Sequence, residues 1–136
     1  HIKLIKMAEP RKQITDLKKE IEKIANDLIH TAKLHKHLKL KVLDTFKMYV
    51  CNVRNGRTSY SKKFLTVPKW AYDDKREGYF VYYVAHELAH AFSHVNGTND
   101  YHGKYFYHFY SKLCPENYQH YELGYKPRNA KRFGIK

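Results

Sequence analysis

The sequence predicts an α+β fold in a single domain, and three features carry that reading. Apolar residues near the N-terminus recur at helical spacing. Apolar and polar residues alternate between Thr45 and Cys51. A second helical run, after Asp74, carries His86-Glu87-Leu88-Ala89-His90 at its centre. At 136 residues the chain can bury a core without disulfides or a structural metal, so residues 1–136 read as one domain ending in a basic tail, 126–136.

The elements follow in order. Ile14, Leu17, Ile21, Ile24 and Leu28 fall three or four apart, with Lys18, Lys19, Glu20, Glu22 and Lys23 between them, which predicts an amphipathic helix after Pro10. The helix continues or restarts through Leu34 and Leu38, where His30, His35 and His37 read as solvated residues of its outer face. Phe46, Met48 and Val50 then alternate with Lys47, Tyr49 and Cys51, the period of a half-buried strand. Asn55-Gly56 suits a tight hairpin turn with positive φ. The return strand is expected from about Thr58 to Phe64, with a further short strand from Phe64 to Val67 that Pro68 ends. A small antiparallel sheet is therefore expected before the motif helix.

Asp74-Lys75-Arg76-Glu77 resembles a capping box and predicts a helix start there. Val81, Val84, Leu88, Phe92 and Val95 form its apolar stripe, and Asn96-Gly97 its stop. Asp100 is placed to cap the next helix, in which Tyr105, Phe106, Phe109, Tyr110 and Leu113 form a core stripe and which Pro115 ends. Beyond Pro115 the chain is polar and aromatic without a clear period.

Twenty-six Lys and Arg against 13 Asp and Glu give a net charge of +13, shared by both halves of the chain. Lys126, Arg128, Lys131, Arg132 and Lys136 follow the last acidic residue, Glu122. Such a balance favours a polyanion, and nucleic acid in particular. Cys51 and Cys114 stand alone, which excludes a zinc ribbon and a disulfide-rich scaffold. No apolar run approaches the ~18 residues of a membrane span and no signal peptide is evident. A cytoplasmic monomer without a membrane partner is expected.

His86 and His90 are four apart, so on a helix they share a face and can hold one Zn²⁺, with Glu87 beside them as a general base. A catalytic zinc needs a third protein ligand and an open position. His94, His102, His120, Glu116 and Glu122 are the candidates. His94 lies on the same straight helix and closes a tetrahedral site poorly. Ser93 and Asn96 occupy the places where a metzincin carries Gly and His, and Glu116 and Glu122 lie beyond Pro115. His102, expected in the first turn of the next helix, can swing toward the pair.

The His86-Glu87-Leu88-Ala89-His90 helix, followed after a short loop by His102-Gly103-Lys104-Tyr105-Phe106, resembles the SprT-like zinc metallopeptidases, the family that includes the Spartan DNA–protein crosslink proteases. His120-Tyr121-Glu122-Leu123 is similar to a His-x-Glu-Leu segment that can follow the family's last catalytic-domain helix. The likeness covers roughly residues 40 to 123 and is strongest at the metal motifs. It implies a minimal zincin-like fold with one Zn²⁺ per chain on His86, His90 and His102, Glu87 as catalytic base, and a protein or peptide substrate. It also makes DNA a candidate partner. The sequence shows no zinc ribbon like that of larger members, which leaves substrate recruitment open; by its charge, the basic tail is a candidate to hold DNA instead.

His120, Tyr121 and Tyr125 are candidates to stabilise the oxyanion. Two alternatives remain open. A zinc-dependent nuclease suits the charge, although His90 and His102 are spaced more widely than the ligands of three-histidine nucleases. A non-catalytic, zinc-stabilised nucleic-acid-binding module would use Glu87 only to support a ligand.

Overall fold

The computed structural model describes residues 10–136. The N-terminal stripe folds as α1 (Lys18–Thr31) after a 3-10 turn at Thr15–Leu17, with Ile21, Ala25, Leu28 and Ile29 buried. Ala32 leaves the helical region at ψ 136°, and the chain restarts as α2 (Lys36–Thr45), whose first turn is capped when the His35 ring accepts from the His37 N–H. His30, His35 and His37 are exposed, as expected.

The fold is α+β, but its sheet is mixed where an antiparallel one was expected. Strands β1 (Lys47–Cys51), β2 (Arg57–Ser59) and β3 (Phe64–Pro68) lie in the order β1-β3-β2. β1 runs parallel to β3, with Met48 opposite Leu65, and β2 alone is antiparallel, with Thr58 opposite Leu65. Asn55-Gly56 makes no hairpin turn, because neither residue has a positive φ. Glycine is required at position 56 for close approach: a Cβ there would lie 2.5 Å from the Thr66 carbonyl oxygen and 2.7 Å from the Tyr83 ring. The chain reverses instead between β2 and β3, where Lys63 takes φ 61° and its N–H donates to the Ser59 carbonyl. β1 is also buried on both faces. Met48 and Val50 join the main core, while Tyr49 and Cys51 pack with Phe64 in a smaller cluster. Residues 12–14 pair along its outer edge through Ile14 N–H to Val50 and Asn52 N–H to Lys12.

After the short α3 (Lys69–Asp73), the expected capping box does not start a helix. Asp74 accepts from the Arg76 N–H at 2.9 Å and pairs with its guanidinium, and Gly78 turns the chain at φ 72°. α4 therefore begins only at Tyr79 and runs to Val95, where Asn96 and Gly97 end it as expected. Nearly all of its residues from Phe80 to Ser93 are buried, so it threads the core between α1, α2, the sheet and α5 (Lys104–Leu113).

The chain then makes a 3-10 helix at Glu116–Tyr121, α6 (Glu122–Tyr125) and α7 (Pro127–Arg132). Residues 126–136 thus do not trail away as a tail. Ala130 and Ile135 are buried, and Phe133 stacks on Tyr107 with ring centres 5.7 Å apart. Among the described residues no helix is long and apolar enough to cross a membrane.

Candidate metal centre

His86 and His90 project from the middle of α4, where a regular helix buried on most sides holds their rings in register. His102 reaches them from the loop ahead of α5. It does not lie within the helix, as the sequence suggested, because Asp100 caps α5 from further back: its carboxylate accepts from the N–H groups of Tyr105 at 2.9 Å and Phe106 at 3.1 Å. A Cβ on Gly103 would lie 2.6 Å from that carboxylate, so glycine at this position lets the cap close. The His102 carbonyl accepts from Asn129 Nδ2 at 2.8 Å, which ties the loop to α7. Truncating the basic segment would therefore disturb the loop that bears His102, although Arg128, Lys131 and Arg132 themselves remain exposed.

The three histidines bring one donor atom each within 4.8 Å of one another, and His86 Nε2 lies 3.3 Å from His102 Nε2. Tetrahedral coordination with metal–nitrogen bonds of ~2.0–2.1 Å separates neighbouring nitrogens by about 3.3–3.4 Å, so the trio can take up an ion with little movement. Phe106, fully buried, closes the site from behind, its ring centre 4.9, 4.5 and 4.8 Å from those of His86, His90 and His102.

Glu122 sets the chemistry of the trio. Its side chain is fully buried and accepts three hydrogen bonds, from His86 Nδ1 at 2.8 Å, Tyr107 OH at 2.8 Å and Tyr82 OH at 3.1 Å. With the Nδ1 N–H held by Glu122, His86 turns Nε2 toward the other two rings, the atom from which a bound metal would displace the proton. Burial works against the Glu122 carboxylate, but the His86 charge and the donated hydrogen bonds outweigh it and lower its pKa. Burial likewise works against a charged His86, and Glu122 more than offsets it, so that pKa is raised. Burial, reinforced by the neighbouring rings, pushes His90 down to about 2 and His102 down to about 4. Both are neutral at neutral pH, the form that binds metals. His90 Nδ1 is buried without a hydrogen-bond partner among the described residues. Three imidazoles, one of them oriented by a carboxylate, fit Zn²⁺ or a similar borderline ion better than Mg²⁺ or Ca²⁺.

Glu87 is buried next to His86. Thr58 Oγ1 stands 2.9 Å from its Oε1 and 3.0 Å from its main-chain carbonyl. Burial raises the Glu87 pKa, against the opposing influence of His86 and the Thr58 hydrogen bond. Glu87 and His86 both line a cleft of about 280 Å³ that Tyr83 and Tyr125 also border.

Of the oxyanion candidates, Tyr125 alone stands over the cluster, its ring centre 5.4 Å from that of His86 and 5.6 Å from that of His102. Tyr121 borders the cleft but donates its hydroxyl to the Glu77 carbonyl, and His120 is exposed against the Tyr121 ring. His94 lies outside the trio, stacked on Tyr60 with Lys63 Nζ 3.1 Å from its Nε2, and Glu116 is exposed.

The sequence assigns Glu122 no role as a partner of His86, Thr58 none beyond the start of a strand, and Asn129 none. Glu122 carries two visible signals, its place in His120-Tyr121-Glu122-Leu123 and its position as the last acidic residue before an all-basic segment; Thr58 and Asn129 carry none that points to the site. No protein-family model, curated protein or solved structure matches this chain.

Proposed function

We propose that the protein is a zinc-dependent metallopeptidase in which His86, His90 and His102 hold the ion and Glu87 is the general base for hydrolysis of a peptide bond. The observation that carries this reading is the setting of Glu87: a buried carboxylate of raised pKa, fixed by one hydroxyl and facing a cleft beside a ligand histidine. A purely structural metal has no use for a basic carboxylate held open to a cleft. The resemblance to SprT-like metallopeptidases points the same way.

What the ion supplies when bound is Lewis acidity at an open coordination position. The remaining roles belong to the chain. Glu87 takes the proton of the attacking water and returns it to the leaving amine, and its raised pKa brings its basicity closer to neutral pH. Thr58 fixes the oxygen it touches. Glu122 holds His86 in the ligating tautomer. Tyr125, at the mouth, is placed to donate its hydroxyl to the oxygen on which charge develops.

Elemental analysis should find one zinc per chain in the unmodified protein and none in His102→Ala. Glu87→Gln should keep the zinc and lose hydrolysis of an unstructured peptide by ~10²–10⁴-fold, the usual worth of a general base. Undiminished cleavage by the zinc-loaded Glu87→Gln protein would sink the assignment, and cleavage of RNA with peptides left intact would identify a nuclease.

A further inference from the structure

The cleft beside Glu87 has a composition that the hydrolytic step does not require. Its outer part is built from aromatic faces, chiefly Trp70, Tyr79, Tyr83, Tyr121 and Tyr125. Trp70, the only tryptophan of the chain, is 45% exposed, yet its ring is fixed by an Nε1–H bond of 2.7 Å to the Arg54 carbonyl and packs at 6.1 Å from Tyr79 and 5.8 Å from Tyr83. A large apolar side chain held rigid at the mouth of a cleft is a recognition surface in search of an apolar partner.

Several hydroxyls of this wall are already engaged. Tyr82 donates to Glu122 at 3.1 Å, Tyr121 donates to the Glu77 carbonyl at 2.7 Å, and Tyr83 accepts from the Gly56 N–H at 2.9 Å. The one arginine in the lining, Arg76, is paired with Asp74 at 2.8 Å and stacked 4.0 Å above Tyr79. Apart from Glu87, Asn55 and the Tyr125 hydroxyl, the cleft therefore offers mainly ring faces. At about 280 Å³ it falls just below the ~300 Å³ at which sites for whole small molecules begin, a size that suits one large side chain.

We propose that this cleft is the subsite for one aromatic or large aliphatic side chain of the peptide substrate, next to the bond that is cleaved. The assignment rests on the peptidase reading and deepens it by naming the substrate class. A nucleobase also stacks on aromatic faces, but it brings a phosphate that must be neutralised, and the lining holds no unpaired cation to do so.

Cleavage sites in a mixture of unstructured peptides, mapped by mass spectrometry with the zinc-loaded protein, should carry Phe, Tyr, Trp or Leu at one fixed position relative to the broken bond. Alanine at that position should lower kcat/KM by at least ~10-fold, and Trp70→Ala should remove most of that preference while zinc stoichiometry is kept. Trp70 fluorescence, excited where tyrosine does not absorb, reads occupancy directly. In the Glu87→Gln protein it should respond saturably to a Phe-containing peptide and not to its Ala counterpart. Cleavage indifferent to side chain, with no fluorescence response, overturns the subsite and leaves the peptidase standing. A response to the Phe peptide without cleavage of any peptide by the unmodified enzyme upholds the subsite and overturns the peptidase. A response to oligothymidylate and not to peptide overturns the subsite in favour of a nucleobase.

Discussion

Two buried glutamates flank His86, and the structure treats them in opposite ways. Glu122 is 0% exposed and Glu87 4%, and burial penalises the charge of each. Glu122 receives three hydrogen bonds, one from the imidazole, and its pKa is lowered. Glu87 has a single donor among the described residues, Thr58, and its pKa is raised. The supply of donors separates the two: three hydrogen bonds hold Glu122 ionised, and one leaves burial to dominate at Glu87. Separation of two carboxylates by environment gives one residue type two ionisation behaviours at a single site.

The largest effect should come from deleting the satisfied partner. Glu122→Ala strands the hydroxyls of Tyr82 and Tyr107 and the Nδ1 of His86 in the core, at a cost of about 3–5 kcal/mol in unfolding free energy, as for other broken buried pairs. Zinc affinity should fall about 10–100-fold in whatever protein remains folded, because the His86 ring loses its orientation. Urea unfolding at an unchanged midpoint would show that Glu122 is no fixture and would collapse the comparison.

Glutamine substitutions in the metal-free protein sharpen the contrast, since the two groups contribute to stability with opposite pH dependence. Glu122, with its folded pKa lowered, contributes stability that is fully present above the ordinary carboxylate value of about 4.3 and is lost as pH falls through the folded value. Glu87, with its folded pKa raised, favours the folded state below about 4.3 and forfeits that contribution as pH rises through the raised value. At neutral pH, Glu122→Gln should therefore lower Tm and Glu87→Gln should raise it by a few degrees. Shifts of the same sign in calorimetry would contradict the assignment of opposite environments.

How much of this was legible in the sequence depends on how far each feature reaches along the chain. His86, Glu87 and His90 were readable because five consecutive residues of one helix fix their geometry without help from elsewhere. His102 was reachable because its loop is short and glycine follows it, although the Asp100 cap shifted the start of the helix past it. Glu122 was visible as a ligand candidate and in the His-x-Glu-Leu likeness, but not as the partner of His86. Its burial depends on the chain turning back through the 3-10 helix at Glu116–Tyr121, a reversal that no periodicity announces. The sheet failed for a related reason. Parallel pairing of β1 with β3 places β2 outside both, and Asn55-Gly56, read as turn chemistry, proved to be a point of close packing. In the same way Asp74, read as a helix cap, was taken by Arg76.

The smallest effect, and the most discriminating, concerns Thr58. Its hydroxyl has one proton and two acceptors within reach, the Glu87 carboxylate at 2.9 Å and the Glu87 carbonyl at 3.0 Å, so the bond to the carboxylate is shared. Thr58→Val keeps the β-branched shape that β2 needs opposite Leu65 and removes only that donor. The bond lowers the Glu87 pKa, so its loss should raise that pKa further. A general base must be ionised to accept a proton, and the acid limb of the kcat/KM profile should therefore move to higher pH. The rate near that limb should fall by no more than about tenfold, the equivalent of ~1.4 kcal/mol, and should recover toward the wild-type plateau as pH rises. Thr58→Ser should return the limb to its original position. A site merely loosened by the substitution would lose rate evenly at every pH. That flat loss, unrepaired by serine, is the result that would remove Thr58 from the account and leave burial alone to explain why Glu87 differs from Glu122.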